Sequence, residues 1–120
     1  MRPEMLVEID TLRRQLTTFA TVDYRMSLPS MMAIIEVAYV MAHENTNTAP
    51  QSALVKALPI THASVSRSVT YWSQHTSGGV VGKGFINTSQ NIDNRRNTDL
   101  RFTPKGGMFV RSLFSSTGET

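Results

Sequence analysis

The chain has 120 residues, 40% of them apolar and 18% charged, a composition suited to one globular domain and not to a disordered segment. Cysteine is absent, which excludes thiol catalysis, cysteine-ligated zinc and thiol redox sensing and fits a reducing compartment. Net charge is +3 and unevenly spread: residues 1–60 hold five cations against six acids, residues 61–120 seven cations against three acids, as expected of a surface for a polyanion.

Arg2, Glu4 and Glu8 interrupt the apolar residues at the N-terminus, so no secretory leader is expected. The longest apolar run, Pro29 to Ala42, contains Glu36. It falls short of the roughly 20 residues that span a membrane, and the expected location is cytoplasmic. From Glu4 to Ala20, the residues Met5, Leu6, Ile9, Leu12, Leu16, Phe19 and Ala20 fall within an arc of about 140° at helical periodicity. Pro3 suits the first turn of this amphipathic helix. It packs on its own domain or pairs two copies, and residues 1–26 are expected to serve dimerisation.

Ser27-Leu28-Pro29-Ser30 starts a second helix. It is apolar nearly all round through Ala42 and belongs at the centre of the fold. Met26, Met31, Met32 and Met41 fit core filling better than an adaptable ligand pocket. Asn45 to Thr48 end that helix and cap a short third one, Gln51 to Leu58, with Pro50 in its first turn. Leu54, Val55 and Leu58 form its inward face.

Pro59-Ile60-Thr61 makes a tight turn, and Thr61 caps a helix running to about Gln74. Two short helices joined this way are a helix-turn-helix. Val65, Val69 and Trp72 form a narrow inward stripe on the second helix. Opposite them lie Ala63, Ser66, Arg67, Thr70 and Gln74, with Tyr71 at the edge. That outer face is small, polar and basic, whereas a solvated helix face usually mixes Glu with Lys. Small residues let a backbone sit deep in a DNA major groove, and an arginine reaches guanine or phosphate. The expected major-groove residues are Ala63, Ser64, Ser66, Arg67, Thr70, Tyr71 and Gln74. Trp72 falls on the core stripe and is expected to be buried.

His75 to Gly79 reads as a loop. Val80 to Thr88 and Thr98 to Thr103 read as the two strands of a hairpin, with Leu100 and Phe102 inward and Asp99 and Arg101 outward. The polar tip between them carries Arg95 and Arg96, and either suits the negative potential of a narrow minor groove. Thr103-Pro104 starts a last helix to about Phe114, weakened by Gly106 and Gly107 at about 1 kcal/mol each relative to Ala. Residues 115–120 are expected to be a disordered tail. The fold class is therefore mainly α with a small β-hairpin, a winged helix-turn-helix over residues 27–114 that binds double-stranded DNA. Thr61, Lys83, Arg101 and Lys105 are its expected phosphate contacts.

Enzyme readings find little support. Gly78 to Gly84 lacks the spacing and the hydroxyl residue of a P-loop. His43, His62 and His75 show no metal-ligand spacing. No catalytic residue, metal or cofactor is expected.

Ala63-Ser64-Val65-Ser66-Arg67-Ser68-Val69 and Gly79-Val80-Val81-Gly82-Lys83 resemble segments of the MarR family of bacterial winged-helix regulators. Asp93-Asn94-Arg95-Arg96, followed by Leu100-Arg101-Phe102-Thr103-Pro104-Lys105-Gly106, is similar to that family's wing signature. The resemblance implies a homodimer on a pseudo-palindromic operator, usually a repressor and often released by a small-molecule effector. It also implies that Asp93 orients a wing arginine through an ion pair. The wing is slightly longer than the family's, so Arg95 and Arg96 both remain candidates for the minor groove. The loop from Trp72 to Gly79 is longer too. The family continues past the equivalent of Phe114 into a long dimerisation helix, so a dimer of this chain is expected to rest on residues 4–20 and the short last helix, or to be absent. The competing expectation is a winged-helix module for protein–protein assembly, or for replication machinery, without a regulated operator.

Overall fold

Helix α1 (Pro3–Val22) starts with a proline in its first turn and an acid, Glu4, beside it. Asp10 accepts hydrogen bonds from Arg13 at 2.6 Å and from Arg14 at 3.0 Å, one helical turn on. The computed structural model describes residues 2–73, 76–77, 80–91 and 97–114. Helix α2 (Leu28–Glu44) is capped by Ser27, whose Oγ accepts the Ser30 N–H at 3.2 Å. It stops where Asn45 takes a left-handed φ of 54°, a conformation asparagine tolerates.

Strand β1 (Ala49–Pro50), helix α3 (Gln51–Ala57) and helix α4 (His62–Trp72) follow. Thr61 caps α4 as expected, accepting the Ser64 N–H at 3.1 Å. Short strands β2 (Thr76–Ser77) and β3 (Val80–Val81) pair with each other. Strand β4 (Ile86–Gln90), strand β5 (Thr98–Phe102) and helix α5 (Pro104–Phe114) complete the described chain. The main sheet is antiparallel in the order β1-β5-β4, with Leu100 opposite both Ala49 and Thr88. A helix-turn-helix followed by the β4–β5 hairpin makes this a winged helix, mainly helical with a small sheet.

Several boundaries differ from the sequence reading. Val80 to Thr88 is not one strand. The N–H groups of Lys83, Gly84 and Phe85 bond the carbonyls of Tyr71, Ser73 and Trp72 at 2.8, 3.0 and 2.7 Å. They satisfy the end of α4 in place of a ladder, and the hairpin strand begins only at Ile86. Helix α4 accordingly ends at Trp72, two residues short of Gln74, and Ser73 bridges to Ile86. Pro50 does not sit in the first turn of α3 but pairs with Asp99 at the sheet edge, where a residue without an N–H is tolerated. Part of the loop read from His75 to Gly79 is strand, at Thr76–Ser77.

The inward stripe of α4 is as read: Val65, Val69 and Trp72 are buried. The Trp72 ring lies 5.4 Å from Phe85 and 5.9 Å from Phe109, and Phe109 meets Phe19 of α1 at 5.5 Å. One aromatic cluster thus joins α1, α4, the approach to β4 and α5. Leu54 of α3 and Leu100 of β5 are fully buried, with Val55, Leu58 and Phe102 packed partly against them. Met26, Met31 and Met41 are partly buried against the same core. Helix α2 buries Ala33, Ile34 and Val37 yet leaves Leu28, Ile35 and Tyr39 exposed, so it is central on one side only.

Candidate nucleic-acid interface

Helix α4 presents its outer face because its inner face is pinned. The Trp72 indole Nε1 donates to the Ser30 carbonyl at 2.6 Å inside the core, which fixes α4 against α2. Opposite, Ala63 and Arg67 are exposed and Ser64, Ser66 and Thr70 are half-buried. The Arg67 guanidinium donates to Ser64 Oγ at 3.1 Å and so lies along the helix surface toward its N-terminus. It borders a groove shared with Ser27, Pro29 and Ser68. Gln51 of α3 reaches the same face, its Nε2 donating to Ser66 Oγ at 3.5 Å.

Tyr71 has a second attachment. Its hydroxyl donates to Asp23 Oδ2, in the turn between α1 and α2, at 2.6 Å. Partial burial, and then this carboxylate, push the tyrosine proton affinity far above its ordinary range. In return the Tyr71 hydroxyl, and after it the Arg25 N–H, hold the Asp23 carboxyl below the usual carboxylate range. The Lys83 ammonium lies 5.5 Å from the centre of the Tyr71 ring, and the Lys105 ammonium 5.3 Å from that of Phe85. Lys105 Nζ also donates to the Lys83 carbonyl at 3.2 Å. These two lysines therefore stand together beside the C-terminal end of α4, although they are far apart in sequence.

Thr61 has its hydroxyl engaged with Ser64, as a cap. Arg101 is exposed on β5, opposite Asn87. The ion pairs among the described residues all lie at or on α1, so Arg67, Lys83, Arg101 and Lys105 form no ion pair with a described residue. Gln74, Asp93, Arg95, Arg96 and the tail 115–120 lie outside the described residues. The sequence reading gave Gln51 and Lys56 no functional role and weighed His62 only as a metal ligand. Gln51 belongs beside α4 only because α3 packs there, and no periodicity within α3 signals it.

No protein-family model matches the sequence, and no curated protein matches it. Solved structures do. A probable transcriptional regulator from Pseudomonas aeruginosa is similar over 89% of this chain and 71% of its own, at 17% identity and a TM-score of 0.56. BpsR of Bordetella bronchiseptica, whose DNA binding is regulated by 6-hydroxynicotinic acid, is similar over 93% of this chain and 76% of its own, at 15% identity and a TM-score of 0.53. At these identities the likeness is one of architecture, and the chain has a winged-helix fold shared with bacterial transcriptional regulators.

Proposed function

We propose that the protein is a sequence-specific double-stranded DNA-binding regulator of MarR type, a homodimeric repressor working in the cytoplasm and not an enzyme. The observation that carries this reading is the outer face of α4, free of acids, with Arg67 in no ion pair among the described residues, on a helix locked by Trp72. In it, Ala63, Ser64, Ser66, Arg67, Thr70, Tyr71 and Gln74 enter the major groove. Tyr71 holds the helix at its proper angle from the edge of that face. Arg95 or Arg96, oriented by Asp93, enters the minor groove, and Thr61, Lys83, Arg101 and Lys105 meet phosphates. Residues 1–26 dimerise the chain through the exposed apolar face of α1. A small-molecule effector belongs to this reading, by analogy with the ligand-regulated neighbour.

Selection of bound duplexes from a random pool, followed by affinity measurements on selected and scrambled sites across a salt series, tests it. Replacing Arg67 with Ala is expected to cost about 1–3 kcal/mol on the selected site and to relax preference at one position per half-site. Replacing Arg95 and Arg96 together with Ala is expected to weaken binding to every sequence and flatten its salt dependence. Unchanged affinity in both variants removes the DNA-binding reading and leaves the assembly module standing. An effector is checked by the loss of operator affinity on adding aromatic carboxylates.

A further inference from the structure

A groove runs between α3, the first residue of α4 and the start of β5, lined by Val55 and by the polar side chains of Gln51, Ser52, Lys56, His62, Asn97 and Thr98. Apart from Val55 each of these side chains carries a hydrogen-bond donor, and no carboxylate of the described residues lines the groove. Lys56 and His62 are exposed, and Lys56 forms no ion pair among the described residues. The groove opens beside the N-terminal end of α4, where backbone dipoles add partial positive charge. The formal charge on this set is the Lys56 ammonium, so it attracts an anion.

Its place in the fold says which anion. The bond from Gln51 to Ser66 puts one wall of the groove against the outer face of α4. Asn97 and Thr98 put the other wall at the tip end of the β4–β5 hairpin, where Thr98 pairs with Gln90. When a helix occupies a major groove and a hairpin tip the neighbouring minor groove, the sugar-phosphate strand dividing those grooves passes between helix and hairpin. We propose that this groove seats a backbone phosphate of duplex DNA, with Lys56 supplying charge and Ser52, His62 and Thr98 supplying hydrogen bonds. The proposal rests on the reading of α4 as the DNA-contacting helix. It adds a contact that fixes register without reading sequence.

The test uses the full chain and two duplexes of equal length, one selected and one scrambled, titrated across a salt series. Lys56→Gln should weaken both duplexes by the same factor, several-fold, and make the slope of log affinity against log salt shallower by about 0.9, the value for one phosphate neutralised. Lys56→Arg should restore affinity and slope. His62→Gln should weaken both duplexes equally. Both positions of substitution are on the surface, and matched thermal melting establishes that the three variants are folded. A wild-type chain that binds DNA while Lys56→Gln leaves its affinity and slope unchanged overturns the phosphate seat and spares the α4 reading. So does a loss confined to the selected duplex, which marks a base contact, or a loss that Lys56→Arg does not restore. A wild-type chain that binds neither duplex at low salt overturns both readings together.

Discussion

A Cβ placed on Gly106 would stand 1.9 Å from the Phe85 carbonyl oxygen, whereas one on Gly107 meets nothing within 4 Å. The approach of α5 to the turn before β4 is that close because Thr103 ties both. Its N–H bonds the Phe85 carbonyl at 3.0 Å, its hydroxyl donates to the Gly84 carbonyl at 2.7 Å, and the same oxygen caps the Gly106 N–H at 3.0 Å. Gly106 is therefore required by packing, and only Gly107 carries the helix penalty read for both from sequence. Gly106→Ala is expected to destabilise the protein by about 1–3 kcal/mol through overpacking. Gly107→Ala is expected to stabilise it by up to about 1 kcal/mol through helix propensity. Denaturant unfolding of the two variants decides the matter, and equal midpoints would show that the close approach is absent.

The bond between Tyr71 and Asp23 joins α4 to the turn after α1, so its strength bears on how two elements are held. The Asp23 carboxyl is held low in the folded state, chiefly by the tyrosine hydroxyl. Its contribution to stability is present above the ordinary carboxylate range and is lost as pH falls through that range toward the folded value. The tyrosine is held high, by burial first and by Asp23 second. Its contribution is present below the ordinary tyrosine value of about 10 and fades as pH rises beyond it. The stability difference between wild type and Tyr71→Phe is therefore expected to be flat from about pH 5 to pH 9 and to shrink on both sides. A difference that ignores acid would show that the hydroxyl does not serve Asp23. The same substitution should weaken operator binding if the tether sets the angle of α4.

Over the whole molecule, the longest helix is the least buried. Of the apolar arc on α1 only Phe19 is buried, while Leu6, Ile9, Leu12 and Leu16 are 62%, 47%, 57% and 49% exposed. Met108 and Phe114 of α5, the helix against which α1 packs, are also exposed. Exposed apolar residues at helical spacing along α1 are the surface through which dimerisation is proposed. Replacing Leu12 and Leu16 together with Glu is expected to turn a dimer into a folded monomer with lower operator affinity, because each half-site then binds alone. Mass in solution checks it, and a mass unmoved by the double substitution places the dimer elsewhere or removes it.

What the residue order determines by itself is what rests on short range. Which face of α4 turns inward follows from helical periodicity, so the burial of Val65, Val69 and Trp72 was legible, as were the caps at Ser27 and Thr61. The helix-turn-helix and a hairpin were legible for the same reason. What only tertiary structure decided rests on groups brought together from distant positions. Val80 to Thr88 has the pattern of one strand, but the N–H groups of Lys83 to Phe85 find nearer acceptors at the end of α4. Pro50 pairs with Asp99, Tyr71 with Asp23, and Gly106 lies under Phe85, and no local pattern names those partners. The groove of Lys56, His62 and Thr98 belongs to the same class, since three elements must pack before their donors face one point. Periodicity tells a side chain which way to face, and the packing of elements decides what it meets there.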